Sequence, residues 1–260
     1  MRHAFALCTL TFLTCAIAGL ARAADDLTVI SNATMNGKPS GTEIQYISND
    51  HIRTTHGSGT EIIINLKTGV MTNIDDKKKT YYNMTKQDLE NFQAKMNEKM
   101  NDPKMKQAMA MMQGMSNSMA SSTEVKKTGV SRKVAGFACE EWSIKMSAMM
   151  TMTECVTNDL KYPVQSWAAL QEFSQAMRKS MSGFGPSAKT GEDFAEKMRS
   201  IHGFPVATSS VVDAGITKMT TTSEVIEVRH TAIPESTWEV PTGFTKVDNP
   251  MMKALQDHGR

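Results

Sequence analysis

The chain has 260 residues, with 29 basic against 27 acidic side chains, 22 methionines, four cysteines, three tryptophans and 6% aromatics. So nearly neutral and unpatterned a charge distribution offers no footprint for nucleic acid. Four cysteines in a chain long enough to bury a real core also argue against a small disulfide scaffold.

The chain opens on Met1-Arg2-His3, a short basic start, and Ala4 to Leu20 follow without a charge. Ala21-Arg22-Ala23 then supplies the small-x-small pattern cut by a signal peptidase, so export with cleavage between Ala23 and Ala24 is expected. The remaining 237 residues lose Arg2 and Arg22 and carry 27 basic against 27 acidic groups.

From Leu27 to Met84, short β-rich runs alternate with turn signals such as Gly37-Lys38-Pro39, Lys67-Thr68-Gly69 and Asp75-Asp76-Lys77. About six strands of an antiparallel meander are expected there. Thr85, with Asp88 three residues on, caps a helix whose stripe is Leu89, Phe92, Met96 and Met100. Asp102-Pro103 starts a second helix carrying Met105, Met109, Met112, Met115 and Met119.

A second β block begins near Ser122 and includes a hairpin with arms Phe137 to Lys145 and Met150 to Asn158. After Tyr162-Pro163 comes a helix with Val164, Trp167, Leu170, Phe173, Met177 and Met181 on one side. Phe194, Met198 and Ile201 mark a short helix stopped by Gly203. Two more strands run over Val206 to Val212 and Ile216 to His230, the latter changing apolar parity near Ser223 to Val225 as a bulge would make it. The tail from Pro250 reads as a frayed helix. The expected fold is α+β: one domain over residues 24–260, a curved antiparallel sheet of about ten or eleven strands forming an open half-barrel. Helical lids near 85–121 and 164–201 pack into its concave side.

Cys139 and Cys155 are the two cysteines beyond the expected cleavage site. Placing them opposite each other in the hairpin also pairs Trp142 with Met152, Ile144 with Met150 and Ala138 with Val156 on one face. The same register sets Glu140 against Glu154. Amphipathic pattern and thiol pairing otherwise agree on a cross-strand disulfide, and the spacing and helix start of a redox-active Cys-x-x-Cys pair are missing.

Methionine is the outlier of the composition. Met105, Met109, Met112 and Met119 fit the buried side of a lid helix or a soft face lining a groove for an acyl chain. The pairs Met96/Met100, Met109/Met112 and Met112/Met115 sit at helical spacings that could bring two thioethers to a Cu(I) ion. No His or free Cys accompanies those clusters. His51 and His56 fall on opposite faces of a strand, and His202, His230 and His258 are scattered. No metalloprotease helix, nucleophile elbow or phosphate-binding loop occurs, so no catalytic residue, metal ligand or cofactor is assigned and the chain is not expected to be an enzyme.

Several segments carry a family resemblance: Ile62-Ile63-Ile64-Asn65-Leu66-Lys67-Thr68-Gly69, Lys78-Lys79-Thr80-Tyr81-Tyr82, Val134-Ala135-Gly136-Phe137-Ala138-Cys139, Gly203-Phe204-Pro205 and Ile233-Pro234-Glu235-Ser236-Thr237-Trp238-Glu239-Val240-Pro241. With these the chain resembles the exported bacterial domains of unknown function 4412, which look related to the lipoprotein carrier LolA and the receptor LolB. The resemblance implies a half-barrel covered by helices, with an apolar cavity that in the carriers accepts lipid chains. The expectation is a periplasmic or secreted module holding a lipid or acyl chain against Leu89, Phe92, Met96, Met100, Met109, Met112, Trp167, Leu170 and Phe173. Alternatives are a Cu(I)-binding protein or a ligand-free adaptor whose partner is another envelope protein.

Overall fold

The computed structural model describes residues 26–100, 124–147, 150–163, 168–169, 171–172, 196–198, 200–213, 215, 217–250 and 252–253. The expected leader, the helix after Pro103, most of the helix after Pro163 and most of the C-terminal tail lie outside them. Twelve strands form one sheet. They are β1 (Leu27–Met35), β2 (Lys38–Ile47), β3 (His51–His56), β4 (Thr60–Asn65), β5 (Val70–Asp75), β6 (Thr80–Met84), β7 (Glu124–Val134), β8 (Phe137–Ser147), β9 (Met150–Thr157), β10 (Phe204–Asp213), β11 (Lys218–Arg229) and β12 (Thr245–Lys246).

Their order is β12-β6-β5-β4-β3-β2-β1-β11-β10-β9-β8-β7, an open sheet antiparallel throughout except for the short parallel pair at β12 and β6. The six strands expected before Met84 are all present. β12 was not anticipated, because two residues carry no periodicity; it exists only because Thr245 N–H and Val247 N–H donate to the carbonyls of Lys79 and Tyr81. The β1–β2 hairpin turns on Asn36 and Gly37, both at positive φ (51° and 75°), a conformation that asparagine and glycine adopt at least cost. Helix α1 (Lys86–Met100) starts as expected: Asp88 N–H donates to Thr85 Oγ1 (3.1 Å), and Thr85 N–H donates back to Asp88 Oδ2 (2.8 Å).

The main buried cluster joins Leu27, Val29, Ile47 and Ile52 of β1–β3 to Cys139, Cys155, Phe204, Val206 and Ala207 of β8–β10. By register these two groups have opposite parity, since Ala207 faces Glu224 whereas Val225 faces Ser31. Bulges bridge the change. Ile226 is the extra residue of β11, one position beyond the expected bulge, and Val206 is that of β10. Such insertions re-aim side chains and increase local twist.

On the other face of β3, Arg53 donates through Nε to Glu61 Oε2 (2.7 Å) and through Nη1 to the carbonyl of Thr237 (2.6 Å). The side chains of this pair are only 12% and 13% exposed. Burial pushes the Glu61 carboxyl up although the guanidinium pulls it down. With Trp238 stacked on His51 (5.2 Å), these contacts fasten the short 3-10 helix Glu235–Trp238 across the meander.

The Cys139–Cys155 disulfide is formed, with Cα atoms 5.3 Å apart, inside the range such bonds span. Its expected register is corrected. Glu141, not Cys139, faces Cys155, while Trp142 faces Glu154, Ile144 faces Met152 and Glu140 faces Val156. The bond is therefore diagonal. A shift by two residues keeps every side chain on its face, because the strand period is two, and it removes the Glu140–Glu154 opposition.

Candidate functional site

Following the pairings across the strands resolves one face of the sheet into rows. The first row is apolar over six strands: Met84, Met71, Ile64, Ile52, Ile47 and Leu27. Two rows further along, the face turns polar, with Thr60 beside His56 on β4 and β3 and Glu43 beside Ser31 on β2 and β1. The next row crosses the other half as Ala33, Ser223, Thr208, Glu154 and Trp142. Beyond it comes Met35, Thr221, Ser210, Met152 and Ile144, and last Met219, Val212 and Met150.

Over β8 and β9 this face is covered. Ile201 is buried there with Ile144 and Val156, and Met198, Trp142, Met152 and Val125 pack around them. Between that cover and β3 the floor opens into a recess of about 270 Å³, lined by residues that include Ala33, Met35, Ser40, Glu43, His56, Gly57, Thr208, Ser210, Thr221 and Ser223. Backbone approach shapes its rim. A Cβ at Gly57 would stand 2.6 Å from the Gly41 Cα, so only glycines let β2 and the end of β3 close this corner.

The polar centre of the recess is Glu43. Its Oε2 accepts from Ser223 Oγ (3.0 Å), and its Oε1 lies 3.0 Å from His56 Nδ1. Serine, carboxylate and histidine are all present, yet the order differs from that of a Ser-His-Asp triad: the Ser223 hydroxyl touches the carboxylate and not the imidazole. Among the described residues, Ser40, Thr208, Ser210 and Thr221 spend no side-chain hydroxyl on a hydrogen bond. Among the described residues, no Lys, Arg, Phe, Tyr or Trp side chain lines the recess.

Next to Thr208 stands Glu154, half-buried opposite Trp142. Burial pushes its carboxyl up, and among the described residues it makes no hydrogen bond or ion pair. Burial, helped by the Glu154 charge, pushes the Tyr162 phenol up to about 12, and its ring packs on Phe204 (4.7 Å).

Of the residues expected to hold a ligand, Leu89 is buried and Phe92 half-buried on α1; Met96 and Met100 belong to the same helix, with side chains outside the described set. Met109, Met112, Trp167, Leu170 and Phe173 lie outside the described residues altogether. No described α1 side chain lines the recess. His51 and His56 point to opposite faces as expected, one onto Trp238 and the other onto Glu43. The recess residues were not singled out from sequence. A signal was present in Thr208-Ser209-Ser210 and Thr220-Thr221-Thr222-Ser223, hydroxyl runs unusual for strands central to a sheet. No group of three His, Cys, Asp or Glu side chains able to hold a metal occurs among the described residues, and no described helix is long and apolar enough to cross a membrane.

Comparison with known proteins gives one family. The model of the domain of unknown function (DUF4412) matches residues 32–244. No curated protein matches. Among solved structures, that of PNGF-II is similar over 88% of this chain and 32% of its own, at 11% identity and a TM-score of 0.41. The crystal structure of MucB is similar over 84% of this chain and 58% of its own, at 10% identity and a TM-score of 0.36. The chain thus spans about a third of the first and rather more than half of the second.

Proposed function

This chain belongs to the DUF4412 family, and from that premise we propose that it is an exported binding module of the bacterial envelope, taking a ligand with an apolar part between the open sheet and its helices. The observation that carries the reading is the set of apolar side chains on the sheet rows at and beyond the edge of the recess. Met35 and Met219 are exposed, Met150 and Val212 are half-buried, and all four stand on the recess face. Methionine side chains re-pack around ligands of variable shape. Removing such area from water stabilises a complex by about 25 cal/mol per Å², offset by ordering costs.

The helix residues Leu89, Phe92, Met96, Met100, Met109, Met112, Trp167, Leu170 and Phe173 would close over this floor in a LolA-like arrangement. The covering of β8 and β9 by Met198 and Ile201 supports placing helical segments on the same face. A disulfide sits well with an oxidising compartment, the periplasm, reached after removal of residues 1–23. The Ser223–Glu43–His56 order lacks the serine–imidazole contact of a Ser-His-Asp triad, in keeping with a binder.

Uptake of a fluorescent fatty acid is the test. Replacing Met35 and Met219 together by Glu should weaken uptake roughly tenfold or more through lost apolar contact, with the far-UV spectrum unchanged. Replacing Met109 and Met112 by Glu does the same for the helical side. Undiminished uptake in the first variant sinks the floor placement, and in the second the lid placement.

A further inference from the structure

We infer that the recess around Glu43 receives an uncharged polyhydroxylated head group, a sugar ring or similar polyol, whose apolar remainder lies over the methionines at its mouth. The inference rests on the apolar-ligand reading for the tail and on independent observations for the head.

Size comes first. At about 270 Å³ the recess is smaller than the roughly 300–1,000 Å³ of sites that enclose a whole small molecule, so it takes part of a ligand. Charge comes second. With no Lys or Arg among the described lining residues, and with His56 already engaged by Glu43, a phosphate or carboxylate head would meet the Glu43 carboxylate with no cation of its own to pair with. A quaternary ammonium would find no Trp, Tyr or Phe face among the described lining residues.

Hydrogen bonding comes third. The Thr208, Ser210 and Thr221 hydroxyls are uncommitted among the described residues and can each donate and accept, as the hydroxyls of a polyol do. Glu43, held in place from both sides by Ser223 and His56, keeps further lone pairs to accept from ligand hydroxyls. Threonine methyls and Ala33 supply apolar patches between these groups, matching the alternation of C–H and O–H on a sugar face.

The experiment measures binding to the mature protein of four probes with one chain length, each below its micelle concentration: octyl β-D-glucoside, octyl phosphate, octyltrimethylammonium and octanol. Methyl β-D-glucoside is the tail-free control. The glucoside should bind at least tenfold more tightly than the other three. Thr208→Val with Ser210→Ala, which removes two hydroxyls at nearly constant shape, should cut glucoside binding about tenfold and leave octanol within twofold, with far-UV spectra reporting the fold. Equal or tighter binding of octyl phosphate, or equal loss of glucoside and octanol in the variant, overturns the head-group inference while the apolar-ligand reading stands. Binding of methyl β-D-glucoside without any gain from the octyl tail supports the head-group inference and overturns the apolar reading. If no probe binds, both fall.

Discussion

The meander β2–β6 and the block β7–β10 are built from the same kind of strand but held in different ways. From β2 to β6 four successive ladders run without a slip, and Arg53 and Trp238 fasten the C-terminal segment across them. From β7 to β10 each of three successive ladders contains a register shift, and a covalent bond ties β8 to β9. An unbroken period of two makes register follow from turn lengths and hydrophobic alternation, whereas each bulge resets it by one residue. The sheet's parity changes at the bulges of β10 and β11, and the recess lies where the two regions meet, lined from β10, β11, β1, β2 and the end of β3.

If the meander depends on its clamp, Arg53→Met should be the most damaging change, costing about 3–5 kcal/mol because it strands the Glu61 carboxylate in a buried place. Urea unfolding measures this, and adding Glu61→Gln should return part of the loss. A loss under about 1 kcal/mol would mean that the clamp is only decorative. The corresponding break in the other half is reduction of the disulfide. A closed segment of 16 residues predicts roughly 3 kcal/mol lost on treatment with dithiothreitol. Limited proteolysis should then cut first within β7–β9, and first cuts in the meander would reverse the assignment.

Gly203→Ala probes the entry to β10, where a Cβ would lie 2.4 Å from the Thr157 carbonyl oxygen at a φ of 122°. A cost of about 1–3 kcal/mol is expected, visible as a lower Tm. Glu154→Gln should produce the smallest effect and of opposite sign. Burial raises the Glu154 pKa in the folded state above its ordinary value of 4.5, so its ionisation weakens the fold as pH rises through that raised value. The glutamine variant should melt higher than the parent at pH 7 to 8, with the difference closing below about pH 4. Parallel Tm curves across that range would mean that the carboxyl finds a partner.

The strands of the meander, the Thr85 cap, a turn beginning near Gly37 and the partnership of Cys139 with Cys155 were legible in the sequence, because each depends on residues close along the chain or on matching thiols. The register of the hairpin was not. Two registers differing by two residues bury the same faces, and only neighbouring strands discriminate between Glu154 facing Glu140 and Glu154 facing Trp142. The candidate site was less legible still. Methionines on helices drew attention, while the recess is made by Ser, Thr, Glu and His on strands far apart in sequence.

What the sequence by itself determined is therefore the local alternation: which residues form strands, which positions turn, and which side chains share a face within one strand. What the tertiary structure alone decided is which rows those faces form together. Ser223 reaches Glu43 across 180 residues of chain, and His56 reaches the same carboxylate from the next strand. Such meetings depend on strand order and on the bulges that set how ladders slide past one another, and both are settled by packing the whole sheet at once.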